Sequence, residues 1–399
     1  MQKEIARPRQ RHLFGSMSLF AVLLGFASAA YAGEIRYRLV DLGTLGGSFS
    51  AGVALNGRGQ AIGNSDTAAE LAAADATIDA FIYSNGTMTD LGSLFGGSTY
   101  PTALNGRGQV TGTSYTADYA TSHVFLYGNG SIIDLGTLGG SYGSGSAINA
   151  LGQVTGFAYL ADDTSYHAFL YSNGKMRDLG TLGGSYSQGL GINWLGQVTG
   201  AATTPGETNH AFLYANGRMR DLGTLGGAFS TGRAINEFGQ VTGESATAGD
   251  LATHAFLYAN GGMRDLGTLG GNSSFPVAIN ALGQVAGNST TAGDAATHAF
   301  IFKNGTMTDL GTLGGSSSFG HAMNAGGWVT GDALTVGDAA YHAFLYTPAT
   351  GMVDVNTLLA PGSAPPGFAL VVASGINDYG VILADGSDGH AYLLKPIDE

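Results

Sequence analysis

The chain of 399 residues contains no cysteine, and only 11% of its residues are charged. The first absence excludes disulfides, so core packing alone must hold the fold, which suits a large closed structure better than a small module. The second comes with a formal net charge of −13. An acidic exterior repels phosphate backbones and anionic membrane surfaces, which sets nucleic acid aside as a partner. Long apolar runs are missing too: the one run, Leu19 to Phe26, falls short of the ~20 residues a membrane span needs. No Gly-x-Ser-x-Gly elbow, zinc spacing, phosphate loop or calcium loop occurs, so neither a metal nor a cofactor is expected.

The first 32 residues stand apart. Lys3, Arg7, Arg9 and Arg11 precede the short apolar run, and small residues end in Ala30-Tyr31-Ala32 before Gly33. That order reads as a secretory signal peptide over 1–32. Its removal takes Glu4 and the four bases with it and moves the net charge from −13 to −16. The mature chain, 33–399, is expected to be a single exported domain, periplasmic or extracellular, with no membrane span and monomeric.

What the chain does have is a period. Asp-Leu-Gly begins at Asp41, Asp90, Asp134, Asp178, Asp221, Asp265 and Asp309, each copy 43 to 49 residues after the last, and a decayed copy stands at Asp354. A unit this short cannot bury its own apolar face and must stack on its neighbours. Within a unit, Asn-Gly between two β-favouring runs signals a hairpin, as at Asn173, Asn216 and Asn260, because a type I′ turn needs positive φ at both central residues. Each unit therefore reads as four short antiparallel strands. Four strands in about 44 residues fit a β-propeller blade. The segment 37–42 resembles a lone fourth strand and the C-terminal segment supplies three, so the two together complete a last blade. The expected fold is an all-β propeller of eight four-stranded blades, closed by the N-terminal strand.

The strings His167-Ala168-Phe169, His210-Ala211-Phe212, His254-Ala255-Phe256, His298-Ala299-Phe300 and His342-Ala343-Phe344, with Asp-Leu-Gly-Thr-Leu-Gly-Gly, resemble the HAF-repeat family of extracellular repeats. The resemblance covers the whole mature chain. Asp79-Ala80-Phe81 and His390-Ala391-Tyr392 depart from it at the closure. It implies export and repetition, and brings no catalytic residue.

In a blade, the loops joining units and those joining second to third strands share one face, while tight Asn-x-x-Gly and Asn-Gly turns share the other. Long variable loops carry binding more often than tight turns do, so a ligand is expected on the loop face near the channel. His123, His167, His210, His254, His298, His342 and His390 recur with the blades and read as structural hydrogen-bonding groups. Eightfold-related residues on third strands stand too far apart to share one ion. The aspartates of the seven Asp-Leu-Gly motifs read likewise, and Leu45, Leu138, Leu182, Leu225, Leu269 and Leu313 read as plugs between blades. The loops after Gly-Gly each carry one aromatic, Phe49, Tyr100, Tyr142, Tyr186, Phe229, Phe275 and Phe319. Rings on a Ser- and Gly-rich face suggest a sugar-stacking platform, sharpest at Tyr100, Tyr142 and Tyr186 and extended by Tyr159, Tyr166, Asp162 and Asp163. Residues that break the repeat, Trp194, Trp328, His321, Glu207, Glu237 and Glu244, are further candidates, with His321 and Trp328 in one blade near the channel.

Three functions follow as expectations. The first is a non-enzymatic scaffold for a glycan or cell-surface polymer. The second is a carbohydrate-active hydrolase or lyase with two acids drawn from Asp162, Asp163, Glu207 and Glu244. The third is an envelope protein-interaction platform.

Overall fold

A computed structural model describes residues 35–67 and 78–397. The signal-peptide reading falls outside the described residues. Among those described, 32 strands form four-stranded antiparallel blades, two pairs of which are joined by a single parallel bridge, and every blade but the closing one takes its strands in sequence order. The blades are numbered here 1 (46–90), 2 (96–136), 3 (139–178), 4 (187–221), 5 (226–265), 6 (270–309), 7 (314–354) and 8. Blade 8 combines the strands Leu370–Ile376, Ile382–Gly386 and Ala391–Ile397 with the N-terminal strand Arg36–Asp41, which pairs antiparallel with the last of them from Arg36 opposite Ile397 to Asp41 opposite Tyr392. The all-β propeller class is as the repeat predicts.

The first strand of each blade packs against the first strand of the next around the whole set, including Gly46–Leu55 against Leu370–Ile376. The first strands therefore ring the central channel. A chain of asparagine amides follows the same path. Nδ2 of Asn56 donates to the Asn105 carbonyl at 3.0 Å, Asn105 to Asn149, Asn149 to Asn193, Asn193 to Asn236 and Asn236 to Asn280. Asn280 then reaches Ala325, Asn324 reaches Asn377, and Asn377 returns to Asn56 at 3.1 Å.

No blade has a core of its own. Each apolar cluster lies in a seam, as where Val124 and Leu135 of blade 2 meet Val154, Ala158 and Phe169 of blade 3. Leu138 packs on that cluster, and Leu45, Leu182, Leu225, Leu269 and Leu313 on the corresponding ones. The closing seam joins Leu383, Ala391 and Leu393 of blade 8 to Ala61, Phe81 and Tyr83 of blade 1. The repeated phenylalanine of the third strand is fully buried in every seam from Phe81 to Phe344, an apolar burial worth roughly 2–3 kcal/mol each. The Asn-Gly turns take positive φ at both residues, 53° at Asn216 and 79° at Gly217, as type I′ geometry requires. On the second strand, a Cβ at Gly243 would collide with the Thr231 carbonyl, which keeps that position small.

Candidate functional site

Toward the tight-turn end, each first strand carries one extra residue, a bulge that shifts its register with the second strand. The bulged residues are Val53, Thr102, Ser146, Leu190, Arg233, Val277, His321 and Ser374, one per blade. Five of the blades line a channel cavity of about 620 Å³, whose walls include Thr102, Ser146, Leu190, Arg233 and Val277. Arg233 and His321 are the ionisable members of this set, and each is held from the second strand. Glu244, almost fully buried, takes Arg233 in a fork with Nη2 at 2.6 Å; the guanidinium is accordingly held above its ordinary range. His321 bonds Asp332 at 2.5 Å. His321 and Trp328 share blade 7, as the sequence suggests, but Trp328 turns to the closing blade, packing on the cluster of Tyr37 and Ile376.

The second-strand position that holds Glu244 and Asp332 is Asn64 in blade 1, Asn288 in blade 6 and Asp385 in blade 8. It stitches one blade to the next. Asn288 accepts from the Gly320 N–H at 2.7 Å, and Asp385 accepts from the Gly52 N–H at 2.8 Å. Blade 2 has Pro101 where blades 1 and 7 have those glycines, so no N–H is offered there and the Asn64 Oδ1 is buried without a partner. Blade 6 likewise has Pro276, and Glu244 takes Arg233 instead. Burial pushes the Asp385 carboxyl up to about 6, against the lowering effect of the Gly52 N–H.

On the loop face every motif histidine bonds an Asp-Leu-Gly aspartate, or its blade-7 counterpart, on the neighbouring fourth strand. His123 Nδ1 lies 2.9 Å from Asp134, His167 from Asp178, His210 from Asp221, His254 from Asp265 and His298 from Asp309. His342 uses Asp354 at 2.7 Å, and His390 reaches Asp41 on the N-terminal strand at 3.2 Å. The same aspartates accept an N–H two residues on, as Asp134 does from Gly136. Among the described residues no group of three or more His, Asp or Glu side chains is placed to hold a metal.

The tyrosines do come together, but not as a platform. Tyr142 packs on Tyr159, Tyr159 on Tyr166 and Tyr166 on Tyr186, with centroids 5.6, 5.5 and 4.9 Å apart and ring planes inclined by 37–60°. Tyr100 meets Tyr115 edge-on, and Tyr115 packs on Tyr119. Burial, then the nearby Tyr100, Tyr142 and Tyr119 hydroxyls, raise Tyr115 above the ordinary phenol range. Phe157 packs on Tyr166 with centroids 5.3 Å apart, and Tyr115, Tyr119 and Phe157 were not legible as members. The seven loop aromatics also occupy two registers. Tyr186 and Phe229 immediately precede the residue at which pairing with the second strand resumes, Ser187 and Ser230, while Tyr100, Phe275 and Phe319 lie one residue beyond it.

The proposed acid pairs dissolve. Asp162 is held at about 2 by the Ser165 and Thr164 N–H groups. Asp163 bonds Ser141, Glu207 bonds Ser185, and Glu244 is engaged by Arg233. Glu237 is committed on the opposite face, where it accepts from the Trp194 N–H at 3.0 Å.

Charge divides by face. The loops of the loop face hold Asp66, Asp118, Asp162, Asp163, Asp250, Asp294 and Asp338 with no lysine or arginine among the described residues. The tight-turn face holds Arg58, Arg107, Lys175, Arg218 and Lys303, against two acids, Glu237 and Asp378, that each accept a backbone N–H of the preceding blade's turn.

No family model and no curated relative matches the chain. Among solved structures it is similar to the β-propeller domain of the Trilobed protease from Pyrococcus furiosus, at 7% identity and a TM-score of 0.52, covering 77% of this chain and 95% of that one. A puromycin-hydrolyzing peptidase from Mycobacterium tuberculosis follows at 12% identity and 0.47, where the chain spans 58% of that protein's length and 84% of its own. TolB from Acinetobacter baumannii follows at 10% identity and 0.38, covering 85% of this chain and 80% of that one. The first of these likenesses supports the propeller fold. It is the propeller domain of a protease and gives no support to a glycan ligand, and the inclined tyrosine rings remove the flat platform on which the carbohydrate reading stood. That expectation is corrected.

Proposed function

We propose that this is an exported propeller of the HAF-repeat type that binds a cationic polypeptide segment on its loop face, over blades 2 to 4. One observation carries the reading: an aromatic cluster lies on a face whose loops bear carboxylates and no bases. Around that cluster stand Asp118, Asp162 and Asp163, and each His-paired aspartate from blade 2 to blade 6 keeps more than 40% of its side chain exposed. Tyrosine supplies rigid contact area, and its ring attracts lysine and arginine. The carboxylates steer such a segment and set its register. The His–Asp pairs and the seam leucines serve as braces for the blades in this reading.

Panning a random displayed peptide library on the full chain tests it. Selected peptides should be rich in Lys and Arg. Their affinity should fall at least ~10-fold for the double variant Tyr142→Ser, Tyr186→Ser at unchanged melting temperature, consistent with truncating two interface anchors. Peptides without basic bias, or bound equally by the double variant, would overturn the assignment.

A further inference from the structure

The tight-turn face has a composition that the overall acidity conceals. The third residue of the Asn-x-x-Gly turn is Leu151, Leu195, Phe238 and Leu282 in four successive blades, and Tyr379 in the closing blade, with Trp194 beside Leu195. Phe238 and Leu282 are each 76% exposed, so they contribute almost nothing to the core. The turn does not need them. Its geometry comes from the asparagine side chain, which accepts the N–H groups of the third and fifth residues, as Asn236 does from Phe238 and Gln240. The same third position holds Arg58, Arg107 and Gly326 elsewhere in the ring. Basic side chains share this surface: Arg220, Phe238 and Leu282 line one groove of about 550 Å³, and Arg58, Tyr379 and Lys395 line another of about 320 Å³.

We propose that the tight-turn face docks on an anionic lipid bilayer, with the turn tips entering the headgroup boundary and the lysines and arginines meeting the phosphates. Leu, Phe, Trp and Tyr on protruding tips, bordered by bases, are the side chains that the interface of an anionic membrane favours; the two acids beside the tips, Glu237 and Asp378, are outnumbered by those bases and each accepts a backbone N–H of the preceding blade's turn. The tips stand singly around a ring held by the asparagine amides, so they can enter a fluid surface together without a shaped partner. The net negative charge does not oppose this. Seven-residue strands separate the faces by about 20 Å, well beyond the ~8 Å Debye length at physiological salt. Docking this way leaves the loop face outward, and it does not depend on what that face binds.

Trp194 provides the readout, because its indole is half exposed on this face and the leader contains no tryptophan. The full chain is titrated with vesicles of phosphatidylglycerol and, separately, of phosphatidylcholine. A blue shift of tryptophan emission, with quenching by brominated acyl chains, is expected at a tenfold or more lower concentration of the anionic lipid. Trp194→Phe should remove the shift. Phe238→Ser should weaken the partition about 10-fold, and Arg58→Ala about 5-fold. No emission change, an equal change with the neutral lipid, or a partition indifferent to Phe238→Ser would overturn the proposal. Concentration-dependent self-association abolished by Phe238→Ser would overturn it too, by assigning the apolar tips to a second copy.

Discussion

On the tight-turn face each blade gives the next a buried amide hydrogen bond, whereas on the loop face each blade from 2 to 7 closes on itself through a His–Asp pair. The ring asparagines are at most 8% exposed, while the paired aspartates of those blades, Asp354 apart, stand more than 40% open to solvent. A buried amide with all its hydrogen bonds made is strongly specified, because losing one partner strands the others. A half-exposed pair is weakly specified, since water replaces either partner cheaply. The difference explains where each face can vary. The turn backbone is fixed and only its tip residues change, while on the loop face whole loops change in sequence over constant pairs.

Asn236→Ala tests the comparison at its strongest point. The side chain donates to Gln240 and to the Asn280 carbonyl and accepts from the Phe238 and Gln240 N–H groups. Removing all four in a buried setting should cost about 3 kcal/mol in chemical denaturation. Asp265→Ala removes the His254 pair and one bond from Gly267, and should cost about 1 kcal/mol. Equal losses would erase the distinction between the faces.

The same contrast explains what was legible in the residue order. Periodic features were: the Asp-Leu-Gly spacing, the Asn-Gly turns and the seam leucines all repeat, and repetition reports packing. The bulge residues were hidden, because an extra residue in a strand leaves no mark in a short Gly- and Ser-rich stretch. For that reason Arg233 and His321 were not recognised as equivalents, and the loop aromatics were counted as one register when they occupy two. Tyr115, Tyr119 and Phe157 belong to no repeated motif and join the cluster only through the third dimension. The apolar tips were readable, since Leu, Phe and Tyr recur one residue before the turn glycine, but tight turns seemed the less promising place to look.

Between the faces, Asp385 offers a way to sharpen the comparison with pH. Its folded carboxyl is pushed up to about 6 by burial, against ~4 for an unfolded aspartate. Between those values the folded state carries more of the proton, so stability should fall as pH rises across that window and level off above it. The total should be about 3 kcal/mol. Asp385→Asn keeps an acceptor for the Gly52 N–H, as Asn288 does for Gly320, and should flatten this slope while raising stability at pH 7. A slope unchanged in the variant would assign the pH dependence to other groups.

The smallest effect concerns the two ends of the chain. His254→Ala and His390→Ala delete pairs of the same chemistry, but His390 reaches Asp41 on the N-terminal strand, and at 3.2 Å rather than 2.9 Å. Both pairs are partly open to solvent, so each deletion should cost less than ~1 kcal/mol. The closing strand has other attachments: a six-residue ladder to Ala391–Ile397 and the fully buried Tyr37. Equal losses by thermal melting would mean that this ladder and Tyr37 hold the closure, leaving the loop face free of that duty. A distinctly larger loss for His390→Ala would make its pair a latch, and the loop face would then share the stabilising role assigned here to the amide ring.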